Sequence, residues 1–128
     1  MNDEKLSLEV DVLEGIPQGR LLKFVGDLDY TTTTKMSDAI TKLQEEGALY
    51  FIADFSRLRY INSTGLGALL FVNTTLKQRG GSLKIISMSE SVFEIVEIIG
   101  AHVILDIYSN LEDAVAALQK DLRSSHAK

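Results

Sequence analysis

Two adjacent hydroxyl side chains, Ser63 and Thr64, lie at the start of a predicted helix and are followed by Gly65 and Gly67. The first amides of a helix have no partner within the helix and lie at the positive end of its dipole. An anion placed beside these hydroxyls is therefore stabilised. A structural explanation also stands: Asn62, Ser63 or Thr64 could simply cap the helix, since these residue types are preferred at that position.

The same segment lacks residues that two catalytic or cofactor-binding motifs require. Gly65 and Gly67 match two glycines of a dinucleotide-binding fingerprint, but a leucine occupies the third position and no ribose-binding acid follows at the usual spacing. Ser63 does not lie in a G-x-S-x-G elbow, and His102 and His126 do not fit a recognisable triad order. A small serine hydrolase is therefore a remote alternative.

A second candidate site is the turn at residues 26–31, which contains Asp27 and Asp29. Paired carboxylates could bind magnesium or perform acid–base catalysis, whereas a solvated turn before a helix is the simpler interpretation. With Asp54, at the end of a predicted strand, they invite comparison with phospho-receiver domains. That comparison fails because the chain opens with a predicted hairpin and because Asp106 to Ser109, at the end of the last predicted strand, include no lysine.

The composition excludes most other chemistry. The 128 residues include no cysteine and two histidines far apart in sequence, which excludes disulfides, thiolate catalysis and metal sites built from Cys or several His. Thirteen Lys and Arg against eighteen Asp and Glu leave a formal net charge of -5, which argues against sequence-independent nucleic-acid binding. We expect no cofactor, no metal and no direct nucleic-acid partner.

The termini and the hydropathy predict where the protein acts. The first residues do not combine a basic segment with an apolar run, as a signal peptide would. No stretch approaches the roughly 18 apolar residues typical of a membrane span. These features predict a cytoplasmic protein without a membrane-spanning segment.

The periodicity of apolar residues predicts the elements that position these groups. Alternation from Leu6 to Val12 and a second run at residues 21–25 predict a hairpin, and a helix with a Thr N-cap follows, ending at Gly47. Further strands are predicted at 49–54, 83–86 and 103–107, each followed by a helix. A capping box at Ser109 to Glu112 opens the last helix.

The order β-β-α-β-α-β-α-β-α predicts one α/β domain with a mixed, mostly parallel sheet and packed helices. The domain is expected to span residues 1–128, with a core at about 6–120 and a polar tail at about 123–128.

The helix that follows Ser63 has an unusual outward face. At 100° per residue, one stripe is predicted to face the core: Leu66, Leu69, Leu70, Asn73 and Leu76. The opposite face carries no charge and includes an aromatic residue: Gly67, Ala68, Phe71, Thr74, Thr75 and Gln78. Such a face suits docking against another protein, although a loop or helix of the same chain could also cover it.

The segment from Asp54 to Leu70 strongly resembles the signature of STAS domains, and more narrowly that of bacterial anti-sigma factor antagonists. Its centre reads Tyr60-Ile61-Asn62-Ser63-Thr64-Gly65-Leu66-Gly67. Three further segments resemble the family: Gly26-Asp27-Leu28-Asp29, Gly80-Gly81-Ser82-Leu83, and Ser109 to Ala114. The resemblance covers residues 6 to 120.

The resemblance implies a non-enzymatic regulatory switch. In such proteins an anti-sigma factor, a serine kinase with an ATP-binding histidine-kinase-like fold, phosphorylates the hydroxyl that corresponds to Ser63. The unphosphorylated antagonist binds the anti-sigma factor and frees the sigma factor, the phosphorylated form dissociates, and a serine phosphatase resets it. The partner-binding residues implied are Asp27, Asp29, Asn62, Thr64, Gly65, Gly67, Ala68, Phe71 and Thr75.

Asn62 departs from the family pattern, because many members have Asp immediately before the acceptor serine. The change removes one negative charge beside the phosphorylation site, which bears on which kinase acts. The family also includes constitutive scaffold subunits of stress-sensing complexes and small subunits of lipid transporters. A constitutive scaffold of that kind is therefore the alternative to a switch.

Overall fold

The opening alternation of apolar residues forms an antiparallel hairpin, as predicted. In the computed structural model, which describes residues 5–126, β1 spans Leu6–Val12 and β2 spans Gly19–Leu28. β1 is an edge strand, and its exposed end leaves Val12 largely in solvent. The hairpin places the end of β2, with the acidic turn that follows it, inside the sheet rather than at its edge.

Helices and strands alternate after β2, and every later strand pair is parallel. The elements are α1 (Thr33–Glu45), β3 (Tyr50–Ile61), α2 (Ser63–Gln78), β4 (Ser82–Ile86), α3 (Glu90–Ile99), β5 (Asp106–Tyr108) and α4 (Leu111–His126). The strand order is β1-β2-β3-β4-β5, with β1 antiparallel to its neighbour. This confirms the predicted mixed, mostly parallel α/β sheet.

The sheet separates two apolar cores. The larger one lies between the sheet and α1, α2 and α3, and includes Phe24 and Phe55, whose rings meet edge to face with centroids 5.0 Å apart. The smaller one lies on the other face, where α4 packs Ala114 and Leu118. Three helices therefore share one face of the sheet and a single helix covers part of the other.

β3 continues to Ile61 instead of ending near Asp54 as predicted. Two register shifts against β2, at Lys23/Val25 and at Gly26/Asp27, interrupt the strict alternation of the pair. Beyond Asp54 the buried side chains of β3 fall at Phe55, Leu58 and Ile61, three residues apart. A search for period two therefore misses the second half of this strand.

The predicted strand at 103–107 is wrong for its first three residues. Gly100 ends α3 with a φ of 89° and directs the chain into a 3-10 turn over Ala101–Val103. The amides of Ile104 and Leu105 both donate to the Ala101 carbonyl at 3.0 Å. The first three residues of the predicted strand, 103–105, therefore belong to this turn or follow it directly, and β5 begins only at Asp106.

α4 begins one residue later than the predicted capping box requires. Its cap is Asn110, whose Oδ1 accepts a hydrogen bond from the Asp113 amide at 2.8 Å, so the Ser109 to Glu112 box does not form. Asparagine is as good an N-cap as serine, which explains the shift. α4 continues to His126, so residues 123–126 of the predicted tail are helical, and residues 127–128 lie outside the described part.

Candidate functional site

Asn62 caps α2 and leaves both neighbouring hydroxyls exposed. Its Oδ1 accepts a hydrogen bond from the Gly65 amide at 2.9 Å. The side chains of Ser63 and Thr64 lie in solvent on the first turn. Of the three candidate caps, Asn62 takes this role, so the Ser63 hydroxyl is not required to begin the helix.

Gly65 allows the start of α2 to lie directly against the end of β2. A Cβ at this position would lie 2.2 Å from the Leu28 carbonyl oxygen, far inside van der Waals contact. The Asn62 amide donates to the same oxygen at 3.3 Å. A Cβ at Gly67 would meet no atom within 4 Å, so the two glycines of the motif have different structural roles.

The acidic turn after β2 lies beside the first turn of α2, and Asp29 holds it together. The buried Asp29 carboxylate pairs with Lys5 at 2.8 Å and accepts hydrogen bonds from the Thr31 hydroxyl at 2.6 Å and the Thr31 amide at 2.8 Å. The Lys5 ammonium and then Thr31 lower the pKa of Asp29 to about 2. This carboxylate is therefore ionised and fully engaged within the chain.

Thr32 is the N-cap residue of α1, as predicted, but its side chain makes no capping hydrogen bond to the helix. Its hydroxyl donates to the Asp27 carbonyl and accepts from the Asp29 amide, both at 2.9 Å. The Thr32 hydroxyl therefore pairs with backbone groups of the tight turn after Asp27. It is not available to accept a hydrogen bond from the first amides of α1.

Asp27 stays at the surface and is joined there by residues that were not predicted to belong to the site. Its Oδ1 lies 3.4 Å from Nη2 of the exposed Arg59. Tyr30, with 73% of its surface exposed, and Tyr60, half exposed, flank the same edge. Only their position in the sequence could have indicated these residues: Tyr30 adjoins the acidic turn, and Arg59 and Tyr60 adjoin the Asn62 segment.

The uncharged face of α2 is exposed, as predicted. Phe71 has 69% of its surface in solvent, with Gly67 and Thr74 exposed beside it and Ala68 and Thr75 partly exposed. No part of the chain between residues 5 and 126 buries this face, so the intramolecular cover considered above is absent there.

The inward face of α2 differs from the predicted stripe at one position. Leu66, Leu69, Asn73 and Leu76 are buried, but Val72 takes the place expected for Leu70, which is partly exposed. The Asn73 Oδ1 atom finds no hydrogen-bond partner among the described residues.

We define the Ser63 surface as the exposed and partly exposed residues that these elements bring together: Asp27, Asn62, Ser63, Thr64, Gly67, Ala68, Phe71 and Thr75. Phe71 lies eight residues after Ser63, which places it about 12 Å further along the helix axis. His102 precedes the amino end of β5, whereas Ser63 follows the carboxyl end of β3, and the His102 ring packs against Phe93 with centroids 6.2 Å apart. His102 is therefore not placed to act as a base for Ser63.

Within residues 5–126, no set of three or more His, Asp or Glu side chains converges as a metal site would require. None of the helices in that range combines the length and apolar character needed to cross a membrane.

The fold and the site define a recognised class of protein. The STAS domain family profile matches residues 7–114, and the chain belongs to this family. It is 30% identical over 94 residues to the anti-sigma-B factor antagonist of Bacillus subtilis (strain 168), covering 73% of this chain and 85% of that protein. It is 25% identical over 118 residues to the anti-sigma F factor antagonist of Paenibacillus polymyxa, covering 89% and 96%.

Solved structures share this fold. The unphosphorylated form of the anti-sigma factor antagonist SpoIIAA superposes with a TM-score of 0.72 at 18% identity, covering 89% of this chain and 97% of that one. A putative anti-sigma factor antagonist from Thermotoga maritima gives a TM-score of 0.76 at 16% identity, covering 88% and 94%.

The ionised Asp29 makes a testable contribution to stability. Because its pKa is about 2 in the folded chain and 3.8 in the unfolded reference, the turn stabilises the fold above about pH 4, and this contribution is lost as the pH falls toward 2. Asp29→Asn should therefore unfold more easily than the wild type at pH 6, and the difference should shrink by pH 2.5.

Urea unfolding at both pH values measures this difference, with Asp38→Asn, an exposed carboxylate on α1, as the control. A deficit of Asp29→Asn that is unchanged between pH 6 and pH 2.5 would contradict the assigned role.

Proposed function

We propose that this protein is a cytoplasmic, non-enzymatic anti-sigma factor antagonist that is switched by phosphorylation of Ser63. In its unphosphorylated form it binds an anti-sigma factor that is also a serine kinase, and so frees the sigma factor. Phosphorylation of Ser63 releases it, and a serine phosphatase restores the binding form. The observation that carries this proposal is the exposed Ser63 hydroxyl beside an exposed, uncharged helix face.

The Ser63 surface suits a protein partner. Exposed helix faces of soluble proteins normally carry Lys and Glu, whereas the residues around Phe71 carry no charge. Burying an aromatic side chain of this size contributes strongly to association, and the small residues Gly67 and Ala68 let the partner approach closely. Asp27 and Arg59 then form a charged rim that fixes orientation.

Phosphorylation can disrupt this contact without disrupting the fold. A phosphoserine adds about -1.5 to -2 charges and three acceptor oxygens. At the first turn of α2 the helix dipole and unpaired amides accommodate this charge in the free protein. In the complex, the same group brings bulk and charge to an interface shaped for a neutral hydroxyl, so binding is weakened.

Asn62 retains the structural role that an aspartate would have there, since its Oδ1 already caps α2. It lacks the negative charge, so the phosphate would be the first anion on this turn. The kinase that modifies Ser63 therefore need not tolerate a carboxylate immediately before the acceptor.

Two of the expected partner-binding residues act by positioning others. The Asp29 carboxylate is engaged by Lys5 and Thr31, and its contribution is to hold the turn that presents Asp27. Gly65 has no side chain to offer a partner, and its contribution is to seat α2 against Leu28.

Incubation of the full chain with its cognate anti-sigma factor kinase and ATP tests the proposal. Intact-mass analysis should show one added phosphate on the wild type and on Thr64→Ala, and none on Ser63→Ala. Thr64→Ala is the matched control because it removes the adjacent exposed hydroxyl. Labelling that persists on Ser63→Ala would refute the site, and a stable complex with no labelling of any variant would favour the constitutive scaffold.

A further inference from the structure

α4 covers the second face of the sheet through a small apolar contact. Among its described residues, Ala114 and Leu118 are fully buried, and Val115 and Leu122 are partly buried. They pack on strand residues from the middle of the sheet: Tyr50, Ile52 and Ile86. The sheet separates this core from the larger one, against which α1, α2 and α3 pack.

A buried lysine lies beneath this helix. Lys84 sits on β4 between Ser82 and Ile86 on the face that α4 covers, and 6% of its side chain is exposed. Its Nζ lies 2.9 Å from Asp106 Oδ2 and 2.8 Å from Asp121 Oδ2. Burial alone would lower the pKa of Lys84, but the hydrogen bonds to Asp121 and Asp106 outweigh it and raise that pKa.

The two carboxylates differ in what they join. Asp106 is the direct neighbour of Lys84 in the β4–β5 ladder, so this pair lies within the sheet. Asp121 belongs to α4 and also accepts a hydrogen bond from the Ser82 hydroxyl at 3.2 Å. The Lys84–Asp121 pair therefore exists only while α4 is docked, whereas Lys84 keeps Asp106 in either state.

Asp121 follows Leu118 by three residues and Ala114 by seven, so all three lie on one stripe of α4. The Lys84–Asp121 pair thus extends the side of α4 that packs on the sheet toward the carboxyl-terminal end of the helix. An element with few buried side chains and one strong polar anchor opens at a lower free energy than the main core.

We infer that α4 undocks from the sheet as a unit while the sheet and α1, α2 and α3 remain folded. The Lys84–Asp121 ion pair is the contact that holds α4 in the docked state. Opening uncovers the apolar strip of Tyr50, Ile52 and Ile86. This strip lies on the face of the sheet opposite α2, so it is a second surface, separate from the Ser63 surface.

Native-state hydrogen exchange of the full chain tests this inference. In the wild type, the amides of residues 115–119 should exchange faster than those of 69–73 in α2. Asp121→Asn should accelerate exchange in α4 by roughly ten-fold or more, as expected for the loss of one charge-assisted hydrogen bond, and leave α2 unchanged. Glu112→Gln is the comparison: it removes an exposed carboxylate whose loss costs α4 only its interaction with the helix dipole, so its effect on exchange should be clearly smaller.

Lys84→Met provides a second and independent variant. It keeps an unbranched side chain over the sheet but leaves Asp106 and Asp121 without the cation between them. It should also speed α4 exchange, and trypsin should cut first after Lys120 or Arg123. Equal acceleration of α2 and α4 in both variants, or no acceleration in either, would overturn the inference.

Discussion

Ser63→Asp is expected to bind the anti-sigma factor kinase at least about 100-fold more weakly than the wild type, with no loss of fold stability. A weakening of that size corresponds to about 3 kcal/mol of binding free energy. The new carboxylate lies at the first turn of α2, where Asn62 already caps the helix and the dipole favours a negative charge. The free protein therefore accepts the substitution, and the loss falls on the complex.

Isothermal titration calorimetry against the purified kinase measures this effect. Ser63→Ala is expected to stay within a few-fold of the wild type, because it removes a hydroxyl without adding charge. Ser91→Asp is the matched control, since it makes the same change in the first turn of α3, away from the Ser63 surface. Equal affinity of Ser63→Asp and the wild type would rule out the switch.

Gly65→Ala is expected to lower the free energy of unfolding by about 2 kcal/mol or more, and to lower the Tm by several degrees. The new Cβ would lie 2.2 Å from the Leu28 carbonyl oxygen and 2.7 Å from its carbon. These are backbone atoms at the end of a strand that is paired on both sides, so they cannot move aside as a flexible side chain would.

Gly67→Ala is the matched comparison for this change. It lies two residues further along the same helix, where an added Cβ meets nothing within 4 Å. Alanine favours the helix, so Gly67→Ala should raise stability by roughly 0.5–1 kcal/mol. Thermal unfolding of both variants measures the contrast, and equal stabilities would show that the close approach of α2 to β2 is not required.

Local signals predicted the parts of the fold that depend on neighbours in the chain. The alternation in β1, the change of period after Thr31 and the cap preferences near Ser89 were readable because each involves residues within one or two turns. Two elements could not be predicted in this way. The part of β3 beyond Asp54 depends on its bulged pairing with β2, and the turn at Ala101–Val103 depends on the left-handed conformation of Gly100.

The candidate site divides in the same way. The types of Ser63 and Asn62, and the absence of charge around Phe71, were present in the sequence. The sequence did not indicate that Asp29 is buried while Asp27 stays at the surface. That difference arises because the antiparallel pairing of β1 with β2 brings Lys5 to Asp29.

By itself, then, the sequence determined that this is a mixed α/β domain with two adjacent hydroxyls at a helix start, no cysteine and two histidines far apart in sequence. Periodicity and residue type carry that information because they act over short distances along the chain. The tertiary structure alone decided that Asp29 is buried, that Gly65 touches Leu28 and that Lys84 holds Asp121. Each of these contacts joins residues far apart in sequence, and their proximity exists only once the sheet has assembled.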